Sequence, residues 1–348
     1  MLAIVIFFSA VFCLVRSIPV NLTEFAARRR SDQVSCLNER GEAVDWFIVY
    51  KLPEIPSSSK PLEKAGLAHL YMDESTNGRW IVSSTSFADD SHAVGYTLRQ
   101  IYNNEESTSF RIMYNDETPM GKTSTTKGHA KGVAMFDQKS GFWLLHSIPK
   151  FPSPKRYLFP TGAHVFGQML LSDQLNLYEP FVYDSVLSPK KSEELPALQL
   201  VIEGKSRTTG PLKRESKLQS GGRVTFTSFA KHGKWGGELY ADLVAPSLRQ
   251  SLEAETWQNG HGNIPPSCTG TYKVSNIVDV EAHGADFSNS KDHSKWAVSA
   301  GKSGRWVCIG GINRQNGQLN RGGGTMCTEN ANVWHTFSSM VKSTEACS

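Results

Sequence analysis

Residues 125–137 read TTKGHAKGVAMFD, and residues 289–299 read NSKDHSKWAVS. Each stretch carries a lysine, then a histidine, a small residue and a second lysine, and then enters an apolar run. Each run is followed, after a turn, by another: GFWLLHSIP at 141–149 and GRWVCIGGIN at 304–313. A single His-x-Lys in a chain with ten histidines is expected by accident and is more often a solvated charged turn. Two copies in the same strand, turn and strand setting form an internal repeat, and they predict a chain built from two similar halves.

The repeat also predicts chemistry. In a strand, residues i and i+2 project to one face, so His129 and Lys131 share one space and His293 and Lys295 share another. Lysine supplies a point charge for phosphoryl oxygens, and histidine near its working pKa serves as nucleophile or proton donor. Two such pairs facing each other place a histidine on either side of one phosphorus atom. The expectation is in-line phosphoryl transfer in two steps through a phosphohistidine, without a metal. His146, in the strand after the first motif, and Asn313, after the second, are expected to support the site or bind substrate.

Other chemistries find little footing. The sequence has no HExxH, no EF-hand loop, no GxSxG elbow and no CxxC pair, so no metal or cofactor is expected. NRGGGTMC (320–327) is glycine-rich and could bind an anion through its amides, but it lacks the spacing of a nucleotide-binding P-loop. His232, in KHGKWGG, reads as a surface loop able to touch a DNA backbone.

At 348 residues, 39% hydrophobic and 20% charged, the composition is that of a globular protein. The opening MLAIVIFFSAVFCLVRS is too short to cross a bilayer and reads as a secretory signal over residues 1–17, ahead of an N-terminal segment at 18–35. No membrane partner is expected. The formal charge of +4 is mild, but protonation of ten histidines in an acidic compartment would raise it by up to about ten, which suits a polyanion.

Secretory entry makes disulfides the default for the cysteines. Cys13 lies in the leader. Cys268, Cys308, Cys327 and Cys347 form two bridges in one of three connectivities, which leaves Cys36 free or joined to another molecule. Asn21, in NLT, is the one glycosylation sequon.

Short runs rich in Val, Ile, Phe, Tyr and Trp, bounded by Gly, Pro, Asn and Ser, predict strands throughout. Helices are expected at 247–258, 328–342 and 164–176. The Pro, Ser and charge cluster at 178–198 places the boundary between halves near residue 190, giving halves at 36–190 and 191–348.

These residues resemble the deoxyribonuclease II family, the acid endonucleases of lysosomes and secretions. The likeness runs from VDWFIVYKLP through TKGHAKG, GFWLLHSIPKFP and DHSKWAV to GGINR and the cysteine-bearing tail. It implies an α/β, phospholipase-D-like pseudo-dimer, with two similar mixed-sheet halves, flanking helices and one site at their junction. It implies metal-independent cleavage of double-stranded DNA at acid pH, leaving 3′-phosphate ends. His129, Lys131, His293 and Lys295 match the family's two motifs, and His146 and Asn313 match its supporting positions. The family's pairing would join Cys268 to Cys347 and Cys308 to Cys327. Its partner for the early cysteine falls where this chain has Ser172, which again leaves Cys36 unpaired. The family includes secreted, toxin-like members, so the expected address is the lysosome or the exterior. The alternatives are a same-fold phosphodiesterase acting on lipid or RNA, and a secreted DNA-binding or toxic protein.

Overall fold

The structure, a computed structural model, describes residues 10–15, 34–103, 108–137, 140–152, 161–162, 165–187, 189–205, 209–301, 303–345 and 347. Asn21, and the leader apart from residues 10–15, lie outside the described residues.

Nine strands build the first sheet and nine the second, with a two-stranded hairpin beside them. The early strands are β1 (Ala10–Val15), the hairpin pair β2 (Cys36–Leu37) and β3 (Ala43–Val44), β4 (Trp46–Lys51), β5 (His69–Asp73) and β6 (Ile81–Val82). Then come β7 (Thr108–Asn115), β8 (Lys131–Phe136), β9 (Gly141–His146), β10 (Thr161–Gly162) and β11 (Val182–Val186). They order as β10-β7-β8-β9-β1-β4-β5-β6, with β11 also on β7. The later strands are β12 (Lys213–Gln219), β13 (Thr225–Lys231), β14 (Leu252–Thr256), β15 (Val274–Ala282) and β16 (Ala285–Ser288). They continue with β17 (Lys295–Ser299), β18 (Trp306–Gly310), β19 (Gly323–Glu329) and β20 (Val341–Thr344). Their order is β12-β13-β19-β18-β17-β14-β15-β16, with β20 on β15.

Both sheets are largely antiparallel, and each holds one parallel pair, β7 with β10 and β14 with β15. In both, a His-x-Lys lysine opens a strand (β8, β17) that pairs antiparallel with the next one (β9, β18) and with an earlier one (β7, β14). The sheets differ in which strand lies next to the motif hairpin. β18 pairs directly with β19, whereas β1, inside the expected leader, lies between β9 and β4.

Alternation places one face of each sheet in a shared core. Trp46, Ile48 and Tyr50 of β4 meet Trp296 and Val298 of β17 there, with Leu171, Leu175, Val333 and Phe337 from helices. The opposite face of β4, Phe47 and Val49, packs under the helix Ala93–Asn103, here α1. Both faces are buried, which is why the strands read as near-continuous apolar runs.

Two expected helices form, at Val165–Tyr178 (α2) and Ala331–Ser339 (α3), the latter with Asn330 accepting from the amides of Asn332 and Val333. The helix expected over 247–258 does not. A helical segment ends at Leu248, Arg249 takes a left-handed backbone (φ 55°), and β14 follows, buried between β15 and β17. Leu252 and Ala254 share one face of that strand, so sheet pairing outweighs the helical pattern.

The disulfides join Cys268 to Cys347 and Cys308 to Cys327, the latter directly across β18 and β19. Cys36 corrects the expectation of a free or intermolecular thiol: it is buried and disulfide-bonded, and no described cysteine is free.

Candidate active site

His129 stands two residues before β8, on the loop that carries the first motif. That loop is held from the other sheet. Its amide donates to the Gly322 carbonyl (2.9 Å), and its Nδ1 bonds to the Gly311 carbonyl just past β18. A carbonyl only accepts, so Nδ1 carries the hydrogen and the lone pair lies on Nε2. The Asp116 carboxylate, after β7, lies 3.9 Å from Nε2 and also pairs with Lys131 and with Arg321 (2.9 Å).

Arg321 is the main tie between the halves at this point. Besides Asp116, it donates to the carbonyls of Ser124 (3.0 Å), Lys127 (2.9 Å) and Gly128 (3.2 Å), fixing three points of the motif loop. The approach is close enough to require glycine. A Cβ on Gly128 would come within 1.7 Å of the Tyr178 carbonyl oxygen. Gly323, at φ 152°, turns beneath the His129 carbonyl. The glycine run of 320–327 therefore opens strand β19 and packs against the backbone of the first motif. It is a packed turn and strand, not the flexible connection that such a run more often forms.

The second motif is built differently. His293 is buried, and its ring stacks on Trp257, with centroids 4.0 Å apart and planes 30° apart. Trp257 directly follows β14, as Asp116 directly follows β7, so an aromatic ring takes the place of the carboxylate. Lys295 turns its ammonium onto the His293 carbonyl. Behind it, Asp292 accepts from Tyr50 and from Ser294, whose hydroxyl also reaches Glu255 (2.9 Å). Burial raises the carboxyls of both Asp292 and Glu255, and the Asp292 charge raises Glu255 further.

Electrostatics show that the two motifs share one space. Burial, then Lys295 and Lys131 together, push His293 down to about 2. Burial and Lys131 likewise hold His129 well below its usual value, with Arg321 and Lys295 adding to this and Asp116 opposing. Lys295 falls to about 7 through burial and the Lys131 charge. Asp116 stays ionised, because Lys131, His129 and Arg321 outweigh its burial. Two histidines and two lysines thus sit in one desolvated place, with Asp116 as the carboxylate beside the first pair.

The supporting residues separate. His146 lies across from Lys131 in the β8–β9 register, its Nδ1 accepts from the Ile148 amide (3.2 Å), and its Nε2 is buried without a hydrogen bond. Burial and Lys131 lower it to about 3. Asn313 lies three residues beyond β18, at a register unlike that of His146. It is buried, its amide donates to Gln318 (2.8 Å), and its Oδ1 has no partner. His232 is not a surface residue: it is fully buried, 3.2 Å from Glu179, and accepts from the Lys234 amide.

Sequence reasoning missed Asp116, Arg321, Trp257 and Gly311, because each reaches the site only through the fold, even where, as with Gly311 and Arg321, it lies in a stretch singled out for another reason. The glycine run was the one available signal, since it marks close backbone approach.

The deoxyribonuclease II family model matches residues 35–347. Plancitoxin-1 of Acanthaster planci is 43% identical over 335 residues, covering 91% of this chain and 93% of its own length. Deoxyribonuclease-2-alpha of Rattus norvegicus is 37% identical, covering 91% and 95%. Cell death-related nuclease 6 of Caenorhabditis elegans is 36% identical, covering 90% and 89%. The chain belongs to the deoxyribonuclease II family and is a nuclease of the hydrolase class.

Proposed function

We propose that this chain is a metal-independent acid endonuclease that cuts double-stranded DNA to 3′-phosphate ends at a single site assembled from both His-x-Lys motifs. The observation that carries this reading is the His129 ring, held by a carbonyl of the second motif's hairpin while each motif's lysine acts on the other's histidine. The matching hairpins and single parallel pairs of the two sheets support a phospholipase-D-like pseudo-dimer whose halves meet near residue 190.

The bond to Gly311 favours His129 as the nucleophile, because it leaves Nε2 unprotonated. Nε2 attacks phosphorus, the bond from phosphorus to O5′ breaks, and protonated His293 delivers its proton to O5′. The 3′-phosphoryl group is then carried on His129. His293, now neutral, takes a proton from water. The hydroxide attacks phosphorus, the nitrogen–phosphorus bond breaks, and the 3′-phosphate leaves with both histidines restored. Lys131 and Lys295 hold the phosphoryl oxygens, and the Asn313 amide is placed to assist.

Acid dependence follows from the same charges. In the free site the lysines and burial keep His293 neutral. A phosphodiester anion reverses the local field and raises the histidine, so proton uptake accompanies substrate binding. Activity is expected to rise as pH falls from 7 to 5.

Supercoiled plasmid incubated in EDTA at pH 5 should be nicked and then linearised, with ends that need phosphatase before a polymerase extends them. His129→Ala and His293→Ala should each lose on the order of a thousand-fold or more in rate. A requirement for Mg²⁺, or near-normal nicking by either variant, contradicts the reading. RNA and phospholipid, offered in competition at the same pH, should slow DNA cleavage little.

The two intrachain disulfides fit a secretory protein, and no described helix is long and apolar enough to cross a membrane. Lysosomal delivery or secretion is the corresponding address, and the similarity to plancitoxin-1 favours a secreted, toxin-like role as the second reading.

A further inference from the structure

Away from the nuclease site the fold gathers three metal-ligating side chains from distant segments. Glu39 sits at the tip of the β2–β3 hairpin, His69 opens β5, and His92 directly precedes α1. Their donor atoms lie within 4.8 Å of one another, with the nearest Glu39 oxygen 3.5 Å from His69 Nε2. The expectation that the chain lacks a cluster of this kind is corrected here: its members are too far apart in sequence to form a motif.

Two observations point to a ligand. His69 is fully buried, His92 is 2% exposed, and Nδ1 of each lacks a hydrogen bond, while His69 Nε2 faces the Glu39 carboxylate at 3.5 Å. Leaving such groups unsatisfied costs about 1–3 kcal/mol each. The carboxylate, in turn, is already oriented: Glu39 accepts from the Ser83 hydroxyl (2.6 Å) and from the Ala93 amide (3.0 Å). Ligating carboxylates are characteristically steered by outer hydrogen bonds of this type.

We propose that Glu39, His69 and His92 form a buried structural site for a divalent transition-metal ion of the zinc class. Two imidazoles and one carboxylate suit zinc better than magnesium or calcium, which take oxygen donors. Tetrahedral bonds of about 2.0–2.1 Å set donors roughly 3.4 Å apart, so the cluster closes on an ion with small side-chain rotations. Water or the Ser83 hydroxyl supplies the fourth ligand. The ion ties the hairpin that carries Cys36 to β5 and to the start of α1, and it takes no part in phosphoryl transfer.

The test uses the full chain, purified without a histidine tag and dialysed against zinc at pH 7.5. One zinc per chain is expected, with Tm raised by about 5 °C at a hundred-fold excess over Kd. Glu39→Gln, which keeps volume and can still accept from the Ala93 amide while donating to the Ser83 hydroxyl, and His92→Gln should lose both effects, while His129→Ala and His293→Ala keep them. Cobalt added to the wild-type protein should give the intense visible bands of a tetrahedral site, a readout independent of whether any variant folds. Failure of the wild-type chain to bind zinc overturns the proposal. So does equal binding by Glu39→Gln, or loss of zinc in the active-site variants.

Discussion

His129 and His293 occupy matching places in the repeat, but their neighbours give them different work. His129 has a carbonyl on Nδ1 and a carboxylate near Nε2; His293 has an indole face and two ammonium groups. An imidazole with a fixed tautomer suits attack, and one whose proton arrives with the anion suits donation to the leaving group. Arg321 keeps this asymmetry in place by holding Asp116 and three carbonyls of the motif loop. It positions groups and does not touch the reacting atoms. Arg321→Met should therefore lower kcat by about a hundred-fold with little change in KM, since small misplacements at a reacting centre cost that much. Arg321→Lys, which keeps the charge but not the fork, should recover only part of it. A change confined to KM would show that Arg321 binds substrate instead. The histidines and lysines were legible in the sequence because they repeat; Arg321 and Asp116 were not, because their partners lie far along the chain.

At the scale of elements, the motif strands were legible from apolar runs and turn punctuation, and both hairpins form where expected. The failures came where one pattern served two states. Residues 247–258 carry a helical period, yet β14 is claimed by β15 and β17 on either side. The glycine run of 320–327 signals close approach without saying to what, and the answer is the loop of His129. The β8–β9 pair also fixes His146 beside Lys131, buried and lowered to about 3. The sign of its effect on stability follows directly. Unfolded His146 titrates near its ordinary value, so between about 6.5 and 3 the unfolded chain binds the extra proton and the native state loses stability as pH falls. The slope is at most about 1.4 kcal/mol per pH unit for this residue. His146→Gln should flatten the fall in denaturant-derived stability between pH 6.5 and 4 by about one proton. An unchanged slope would show that His146 titrates alike in both states.

Across the whole molecule, two sheets share one core and each carries one His-x-Lys motif, an arrangement visible in sequence as a short repeat in matching strand settings. Burial limits the charge that composition would allow. At least four of the ten histidines, His92, His129, His146 and His293, are held neutral by burial, so acid adds less positive charge than the count suggests. On the proposed mechanism, attraction to DNA in acid is expected to rest more on the paired lysines and on proton uptake with substrate than on a general rise in charge. The same division of labour allows a direct test with DNA whose scissile 5′-bridging oxygen is replaced by sulfur, a leaving group that needs no proton. In single-turnover cleavage at pH 5 with EDTA, His293→Ala should be restored on this substrate by about a hundred-fold or more relative to ordinary DNA, and His129→Ala should not be restored at all. Equal rescue of both variants, or rescue of neither, would contradict two facing histidines with separate roles at one phosphorus.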